Sequence, residues 1–192
     1  MKLISPSVTS LNAGVVLRPA AVSDAAAIAS VRVASWRVTY RGIMPDAYLD
    51  AMDVGKSTEL WAKVLSMAPG KMIAVYVAET SDGVIGFASG NLLAEAKFGL
   101  DAELGAVYLM PHAQRAGIGR RLVAMVANTL AARGANGLIA WVITDNKPAR
   151  QFYVQLGAQL LIEQAYTWEG DDLIEAGYAW RDLAALAQAC GE

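Results

Sequence analysis

A chain of 192 residues with 55% hydrophobic and 18% charged side chains can bury a large core, which excludes a mainly disordered protein. Sixteen basic and eighteen acidic residues leave a formal charge of −2, so we expect no nucleic acid partner held by bulk charge. The single cysteine, Cys190, excludes an intrachain disulfide and a thiolate metal site, and we expect no metal and a cytoplasmic location. Every apolar run is shorter than the roughly 20 residues of a membrane span, so we expect no membrane partner.

The amino-terminal part is predicted to contain a tail, one strand and three helices. Residues 1–14 are expected to form a flexible tail, and residues 15–192 one domain. A strand over 15–18 is ended by Pro19. Helical spacing of apolar residues follows, first after residue 23 and then over 46–52 and 54–67, where Pro69 and Gly70 end the pattern.

Two strands and a loop are predicted next. Residues 72–79 and 84–91 form a hairpin around the turn at 81–83. Gly86 and Gly90 inside the second strand suggest a bulge or a close approach of another group. Residues 93–101 show no firm period and are predicted to be a loop.

A strand, a glycine-bearing turn and a helix make up the centre of the chain. The strand covers 103–110, the turn 114–119, and the amphipathic helix roughly 120–133. Gly117 and Gly119 allow a tight turn and a close approach to a ligand. Free amides at the helix start, with Arg115, Arg120 and Arg121 around them, suit an anion such as a pyrophosphate. An ordinary strand-to-helix turn is the alternative.

The carboxyl-terminal part adds a strand, a short helix and a hairpin. The strand covers 138–143, and Asp145 or Asn146 caps a helix that ends at Gly157. Residues 159–168 and 173–181 are two strands joined at 169–172, and 182–189 is a final helical segment. Hairpins on both sides of a strand–helix–strand unit predict a mixed α/β sheet flanked by helices.

Two segments resemble the motifs of the GNAT acetyltransferase superfamily. The family's phosphate loop, Gln/Arg-x-x-Gly-x-Gly/Ala, is filled by Gln114, Gly117 and Gly119. The segment 146–158 is similar to the family pattern Asn-x-x-Ala-x-x-Phe/Leu-Tyr-x-x-x-Gly-Phe, with Ala158 in place of the usual aromatic residue. The resemblance extends over about 15–181 and implies a mostly antiparallel sheet of about seven strands.

The resemblance implies an acetyl-CoA-dependent N-acetyltransferase that acts on a primary amine of a small molecule or peptide by direct attack. In the family the loop holds the pyrophosphate, and the backbone of the central strand pairs with pantetheine where two neighbouring strands splay apart. Tyr153 would be the general acid at the thioester sulfur. The implied acetyl-CoA contacts are Val107, Leu109, Gln114, Arg115, Ala116, Gly117, Ile118, Gly119, Arg120, Asn146 and Tyr153. Asn146 as a simple helix cap and Tyr153 as a core aromatic are the alternatives.

A base must take the proton of the attacking amine. Strand alternation predicts that Glu103 shares a face with Val107 and Leu109, and the family places an acid near the start of this strand, so Glu103 is our candidate base. A solvated strand-end charge is the alternative interpretation, and Glu79 and Glu95 are weaker candidates. In the family the first helices overlie the acceptor pocket, which Trp36 and Tyr40 could line. A mild hint of a cationic acceptor comes from Asp46, Asp50 and Asp53.

Two other functions remain open from the sequence. A non-catalytic acyl-CoA-binding regulatory module would keep the glycine turn without a working acid or base. A dinucleotide-binding oxidoreductase needs a third glycine where this chain has Leu122, and its fold suits this element order badly. A homodimer is also open, because the final hairpin could present Trp168, Tyr178 and Trp180 to a second copy.

Overall fold

The architecture comes from a computed structural model that describes residues 14–67 and 72–191. Residues 1–13 of the predicted tail and the predicted helix stop at Pro69 and Gly70 lie outside these ranges. The strands are β1 (Val16–Pro19), β2 (Ile73–Thr80), β3 (Gly83–Lys97), β4 (Leu100–Leu109), β5 (Leu138–Ile143), β6 (Gln159–Trp168) and β7 (Asp171–Trp180). The α-helices are α1 (Ala25–Thr39), α2 (Asp46–Ala51), α3 (Val54–Met67), α4 (Ile118–Ala132), α5 (Lys147–Gln155) and α6 (Leu183–Gly191).

The seven strands form one sheet in the order β1-β2-β3-β4-β5-β7-β6. Every neighbouring pair is antiparallel except β4 and β5, which are parallel and joined through α4. A parallel pair needs a crossover of this kind, whereas the antiparallel neighbours β2–β3, β3–β4 and β6–β7 are joined by short turns. The predicted mixed, mostly antiparallel sheet is confirmed.

Helices cover both faces of the sheet. One face packs against α4, α5 and α6, and its core includes Ile118, Leu122, Leu138 and Leu186, each at most 2% exposed. The other face packs against α1 and α3 around Ile28, Val77 and Phe87, which are fully buried. The sheet therefore separates the helix that follows the glycine turn from the helices that lie between β1 and β2 in the chain.

The predicted loop over 93–101 is wrong. The strand β3 continues to Lys97, and β4 already begins at Leu100, with these two residues paired across a two-residue turn. Phe98 and Gly99 both have positive φ, 56° and 75°, which is the backbone of a type I′ turn. The sequence conceals this hairpin because Phe occupies a position where Asn or Asp is typical, and because most of residues 93–97 are exposed and show no alternation.

The strand β4 contains one extra residue opposite β3. Ser89 pairs with Ala106 and Gly90 pairs with Leu104, so Gly105 is left over as a bulge. A bulge reverses the alternation of side chains. Thus Leu104 packs on the α4 side, whereas Tyr108, an even number of residues later, packs toward α1 and α3.

The bulge corrects one prediction about the candidate base. Leu104 before the bulge and Val107 and Leu109 after it all pack on the α4 side, so Glu103 lies on the opposite face from Val107 and Leu109. Strict alternation over 103–109 was the wrong assumption. Glu103 instead shares its face with Tyr108.

The final hairpin does not offer the apolar face that was predicted for a second copy. Tyr178 and Trp180 are each 3% exposed, and the indole N–H of Trp180 donates to the Leu156 carbonyl at 2.9 Å. Trp168 packs on Trp36, with ring centroids 6.0 Å apart. These three aromatic side chains therefore pack within the chain. They do not form the exposed apolar face on which the dimer hypothesis was based.

We predict that Gly90→Ala destabilises the fold because β3 and β4 approach each other closely there. A Cβ at residue 90 would lie 2.8 Å from the Glu103 carbonyl oxygen and 2.7 Å from Cγ1 of Val126, so the backbone must shift. The expected loss in the free energy of unfolding is about 1–3 kcal/mol, measured by urea denaturation.

The matched control is Gly105→Ala on the facing strand. Its Cβ would meet nothing closer than the Ser89 hydroxyl at 3.9 Å, so the change should stay within about 0.5 kcal/mol. Equal losses in both variants would contradict the close approach at Gly90.

Candidate active site

A gap opens between β4 and β5. The two strands pair only at Ala102–Leu138 and Glu103–Ile139 and then diverge, although β4 runs on to Leu109. The Met110 N–H donates to the Ile85 carbonyl of β3 at 2.8 Å. Since hydrogen bonds alternate along a strand, the backbone groups of Val107 and Leu109 face away from β3 into the gap. The predicted splaying of neighbouring strands is confirmed.

The Leu109 carbonyl at the end of the gap is held by two side chains. It accepts hydrogen bonds from the Ser35 hydroxyl of α1 at 3.0 Å and from the Gln114 side-chain amide at 3.3 Å. Ser35 is buried, so this contact fixes α1 against β4. Gln114 in turn links the end of the strand to the glycine turn.

The glycine turn alternates between buried and left-handed residues. Ala116 and Ile118 are buried in the core, while Arg115 and Gly117 have φ of 60° and 77°. Gly117 is the N-cap of α4, so the amides of the first helical turn keep no intrahelical acceptor. The turn therefore presents a row of backbone N–H groups and the positive end of the helix dipole.

Gly119 places this helix start beside the gap. A Cβ on Gly119 would lie 3.3 Å from Cδ1 of Leu109 and 3.4 Å from Cζ of Phe152, so only a minimal side chain lets α4 approach β4 and α5 this closely. The two predicted glycines thus have different roles. Gly117 supplies a left-handed turn in open space, and Gly119 supplies a close contact.

The three arginines of the turn are not equivalent. The Arg120 guanidinium donates to the Ala189 carbonyl in α6, so what it offers toward the gap is its backbone N–H. Arg115 and Arg121 are exposed and carry their charge at the surface near the helix start. Two of the three predicted cationic side chains are therefore available to an anion.

Asn146 begins α5 and is buried. Its side-chain oxygen accepts a hydrogen bond from the Ala149 N–H at 3.2 Å, which confirms the interpretation as a helix cap. The phenol of Tyr40 lies beside Asn146, and the amide partly offsets the burial that raises the pKa of Tyr40. The cap therefore also borders the polar groups at the gap.

Three tyrosines from three elements converge beside the gap: Tyr40 from the end of α1, Tyr108 from β4 and Tyr153 from α5. Burial raises the pKa of Tyr153, and the neighbouring Tyr40 raises it further. Burial is also the main reason why the pKa of Tyr108 is well above its usual value, with Tyr40 and Tyr153 adding to the effect. All three phenols therefore stay protonated at neutral pH and can donate.

Tyr153 is 8% exposed and packs edge-to-face on Trp180, with ring centroids 5.6 Å apart. Its ring thus has the core position that the alternative interpretation required. Among the described residues, its hydroxyl has no hydrogen-bond partner, whereas the Tyr178 hydroxyl accepts from Arg150 at 2.9 Å. A buried phenol with an uncommitted hydroxyl can serve both packing and chemistry.

Glu103 lies at the last pair before β4 and β5 diverge, and it is half-buried. Burial raises the pKa of its carboxyl group, Lys97 opposes the shift, and Glu175 on β7 adds to it. A carboxylate with a raised pKa near a gap is a reasonable proton acceptor. The weaker candidate Glu79 is instead bound to Arg18 at 2.8 Å, which lowers its pKa and removes it from the site.

The face of β4 that packs toward α1 is lined by aromatic rings. Trp36 lies 4.7 Å from Tyr40 and 6.4 Å from Tyr108 between ring centroids, and it lines a cavity of about 320 Å³. The hairpin β6–β7 contributes Trp168 over the same rings. Tyr40 itself is buried behind Trp36, so of the two predicted pocket residues only Trp36 lines this cavity.

Two of the three acidic residues that hinted at a cationic acceptor are paired with an arginine. Arg41 binds Asp46 at 3.2 Å and Asp50 at 2.8 Å, and Asp53 accepts from the Lys56 N–H at the start of α3. These carboxylates stabilise α2 and α3. The ion pairs account for two of the three carboxylates behind the hint of a positively charged acceptor, while Asp53 borders a cavity and the hint stays a prediction.

Sequence reasoning missed two residues of the site, Tyr108 and Ser35. Tyr108 was overlooked because the expected alternation assigned its face differently, and only the bulge at Gly105 brings its phenol beside Tyr153. Ser35 looks like any helical serine, since its contact with Leu109 spans 74 positions in the chain. A serine otherwise flanked by apolar residues on the buried side of α1 was the one available signal.

Within the residues the structure describes, no three His, Cys, Asp or Glu side chains gather as a metal ion would require. None of the described helices is long and apolar enough to cross a bilayer. A cytoplasmic location and the limits of the domain stay predictions.

Comparisons with known proteins agree with this geometry. The model of the acetyltransferase (GNAT) family matches residues 36–158. The uncharacterized N-acetyltransferase YuaI of Bacillus subtilis is 35% identical over 173 residues, which are 90% of this chain and 96% of the relative. The resemblance inferred from the two motifs is thereby confirmed.

Solved structures share the fold. The PaiA N-acetyltransferase of Thermoplasma acidophilum in complex with coenzyme A has a TM-score of 0.69 at 22% identity, covering 84% of this chain and 97% of that one. YncA of Salmonella typhimurium with its cofactor acetyl-CoA has a TM-score of 0.65 at 18% identity, covering 87% and 93%. At these identities the likeness is one of architecture.

Proposed function

This chain belongs to the GNAT family of acetyltransferases, and we propose that it moves the acetyl group of acetyl-CoA directly to the primary amine of a small molecule or peptide. The observation that carries the proposal is the gap between β4 and β5. Backbone groups of Val107 and Leu109, the start of α4 and the phenol of Tyr153 all border it. Few other ligands need strand-like backbone contacts, an anion site and a proton donor in this order.

The donor would lie in the gap as an added strand. The amides of pantetheine would pair with the backbone of Val107 and with the Leu109 N–H, because the Leu109 carbonyl is already bound by Ser35 and Gln114. The pyrophosphate would take the amides of Gly117, Ile118, Gly119 and Arg120 at the start of α4. Gln114, Arg115 and Ala116 would shape this turn, and Arg115 would add charge.

The chemistry requires two proton transfers. The amine nitrogen attacks the thioester carbon, its lone pair forms the new C–N bond, and the carbonyl oxygen becomes an oxyanion. Collapse of this intermediate breaks the C–S bond and leaves the electron pair on sulfur. Tyr153 would donate a proton to that sulfur, while Glu103 would take the amine proton, directly or through water. Backbone N–H groups at the gap would stabilise the oxyanion.

Direct transfer predicts kinetics that need both substrates bound at once. No residue is then acetylated during turnover, so initial-rate lines for varied acetyl-CoA and amine should intersect instead of running parallel. The regulatory alternative predicts acetyl-CoA binding with no release of free CoA. Measuring CoA release across a panel of amines therefore tests the proposed function as a whole.

We predict that Gly117→Ala weakens acetyl-CoA binding. Alanine at a φ of 77° costs about 1–2 kcal/mol and disturbs the amides of the anion site. The dissociation constant of acetyl-CoA should rise by about tenfold or more, because hydrogen bonds to a charged group are lost. Calorimetric titration measures it.

Gly134→Ala is the matched control at the other end of α4. Gly134 has a φ of 99° and, like Gly117, has open space around its Cβ position, so the backbone strain is of the same kind. It should reduce stability and leave acetyl-CoA affinity unchanged. Loss of affinity in both variants would mean that strain in α4, not the anion site, is responsible.

We predict that Tyr153→Phe lowers kcat by about 10²-fold or more while acetyl-CoA still binds, since the phenol acts on the leaving sulfur. CoA release measures the rate and a thermal shift measures the binding. Tyr178→Phe is the control, because it removes another buried phenol that packs against Tyr153 but is bound to Arg150. A fully active Tyr153→Phe enzyme would reject this residue as the acid.

We predict that the acidic limb of the kcat–pH profile follows the carboxyl group of Glu103. Burial is the main reason why its pKa is raised. The carboxyl group acts as a base only when the pH is above this pKa, so kcat falls as the pH drops through it. Glu175→Gln removes a neighbouring negative charge and should move the limb to lower pH. Lys97→Gln removes a positive charge and should move it to higher pH.

The variant Glu103→Gln completes this series. It should lower kcat by about 10²-fold and abolish the limb, because an amide cannot accept the proton. If the limb keeps its position in both Glu175→Gln and Lys97→Gln, another group is the base.

A further inference from the structure

Arg32 on α1 is a cation without an acidic partner among the described residues. Other arginines nearby are engaged: Arg37 donates to three backbone carbonyls at the end of α2, and Arg41 binds two aspartates. The Arg32 guanidinium instead lies 4.8 Å from the ring centroid of Trp36. Stacking on an indole orients the guanidinium and leaves its N–H groups free to bind an anion.

Arg32 lies between two adjoining cavities on the acceptor side. The cavity of about 320 Å³ is bordered by Trp36, Trp61, Tyr108 and the bulge at Gly105. A second cavity of about 270 Å³ is bordered by Tyr48, Asp53 and Lys56, so among the described residues it holds a carboxylate that the first cavity lacks. Arg32 lines both. The first cavity therefore connects Arg32 to the part of β4 that carries the bulge and the gap.

One buried indole N–H group beside this cavity, that of Trp61, lacks an acceptor within the described part of the chain, and Trp61 is 8% exposed. The Trp36 indole N–H has the Tyr108 phenol as a neighbour instead. An unpaired buried donor is costly, so such groups usually find a partner. The Trp61 N–H would suit an oxygen atom of a ligand. Among the residues that the structure describes, the cavity thus combines one free cation with one unpaired N–H donor and holds no carboxylate on its wall.

Negative charge lies at the other side of the same face. Glu103 is paired with Asn91, which lines the cavity, and Glu175 is close enough to influence Glu103. An acceptor in the cavity would therefore have Arg32 on the cavity wall and the carboxylate of Glu103 beyond that wall, toward the gap. This polarity matches a molecule that carries an anion and an amine.

We propose that the acceptor is a small primary amine that also carries a carboxylate, and that Arg32 binds this carboxylate while the amine points to the gap. The proposal rests on the proposed function of the same site. A guanidinium binds a carboxylate through two parallel hydrogen bonds, which fixes orientation as well as position. A cavity of about 320 Å³ is at the small end of ligand sites, which suits an acceptor of the size of an amino acid.

The test compares matched pairs of acceptors that differ only in the carboxylate. Each primary amino acid is assayed beside the amine that its decarboxylation gives, for example phenylalanine beside phenethylamine, by release of CoA from acetyl-CoA. The accepted amino acid should exceed its amine partner in kcat/KM by about ten- to hundredfold, the usual effect of a hydrogen-bonded charge pair. Binding is followed separately by the rise in Tm that each compound causes in the CoA-bound protein.

Variants of Arg32 test whether this residue binds the carboxylate. Arg32→Gln should lower kcat/KM for the amino acid by about ten- to hundredfold and leave that of the amine nearly unchanged, which removes the preference. Arg32→Glu should reverse the preference, so that the amine is acetylated with a higher kcat/KM than the amino acid. Lys63→Gln is the control, because Lys63 is an exposed cation on α3, the helix that carries Trp61, and lies outside both cavities.

Several outcomes would overturn the proposal. One is that the amine of each pair is acetylated with a kcat/KM equal to or higher than that of its amino acid. Another is that Arg32→Gln lowers kcat/KM equally for the amino acid and the amine of a pair. A third concerns binding in a protein that does bind acetyl-CoA. The proposal fails if no amino acid raises the Tm of the wild type by more than it raises the Tm of Arg32→Gln. Failure of acetyl-CoA itself to raise Tm is different, because it removes the proposed function along with the acceptor.

Discussion

The divergence of β4 and β5 is the constraint on which the rest of the structure depends. A sheet that loses pairing after Glu103–Ile139 leaves backbone groups without partners in the middle of the fold, which is costly unless something else binds them. Each neighbouring element borders this opening. The turn before α4 brings amides to it, α5 brings Tyr153, and the end of α1 brings Tyr40. The gap is therefore a candidate ligand site because the sheet is incomplete there.

The bulge at Gly105 decides which groups face which side of that opening. It lets Val107 and Leu109 pack toward α4 while their backbone groups face the gap, and it brings Glu103 and Tyr108 to the acceptor face together. With strict alternation, Tyr108 and Glu103 would lie on opposite faces. A single unpaired residue thus decides which side chains share a face of the sheet, which is a common use of bulges near active sites.

Local signals in the sequence were enough for most of the fold and for the glycine turn before α4. The left-handed turn at Gly117 and the cap at Asn146 depend on neighbours within three positions, so the pattern could reveal them. The bulge, the Phe98–Gly99 turn and the contact of Ser35 with Leu109 depend on pairing across strands or over long separations. No periodicity records such pairing, and the position of Glu103 was therefore assigned to the wrong face.

Charged residues show the same limit of local sequence signals, and they also bear on the nature of the acceptor. Counted along the chain, the aspartates around residue 50 suggested a cationic ligand, yet Arg41 neutralises Asp46 and Asp50. What matters for a ligand is the charge left after internal pairing. On the face of β4 that packs toward α1, this leaves Arg32 stacked on Trp36 and Glu103 at the last strand pair before the gap. That separation of opposite charges favours a ligand with both signs, and only the folded chain reveals it.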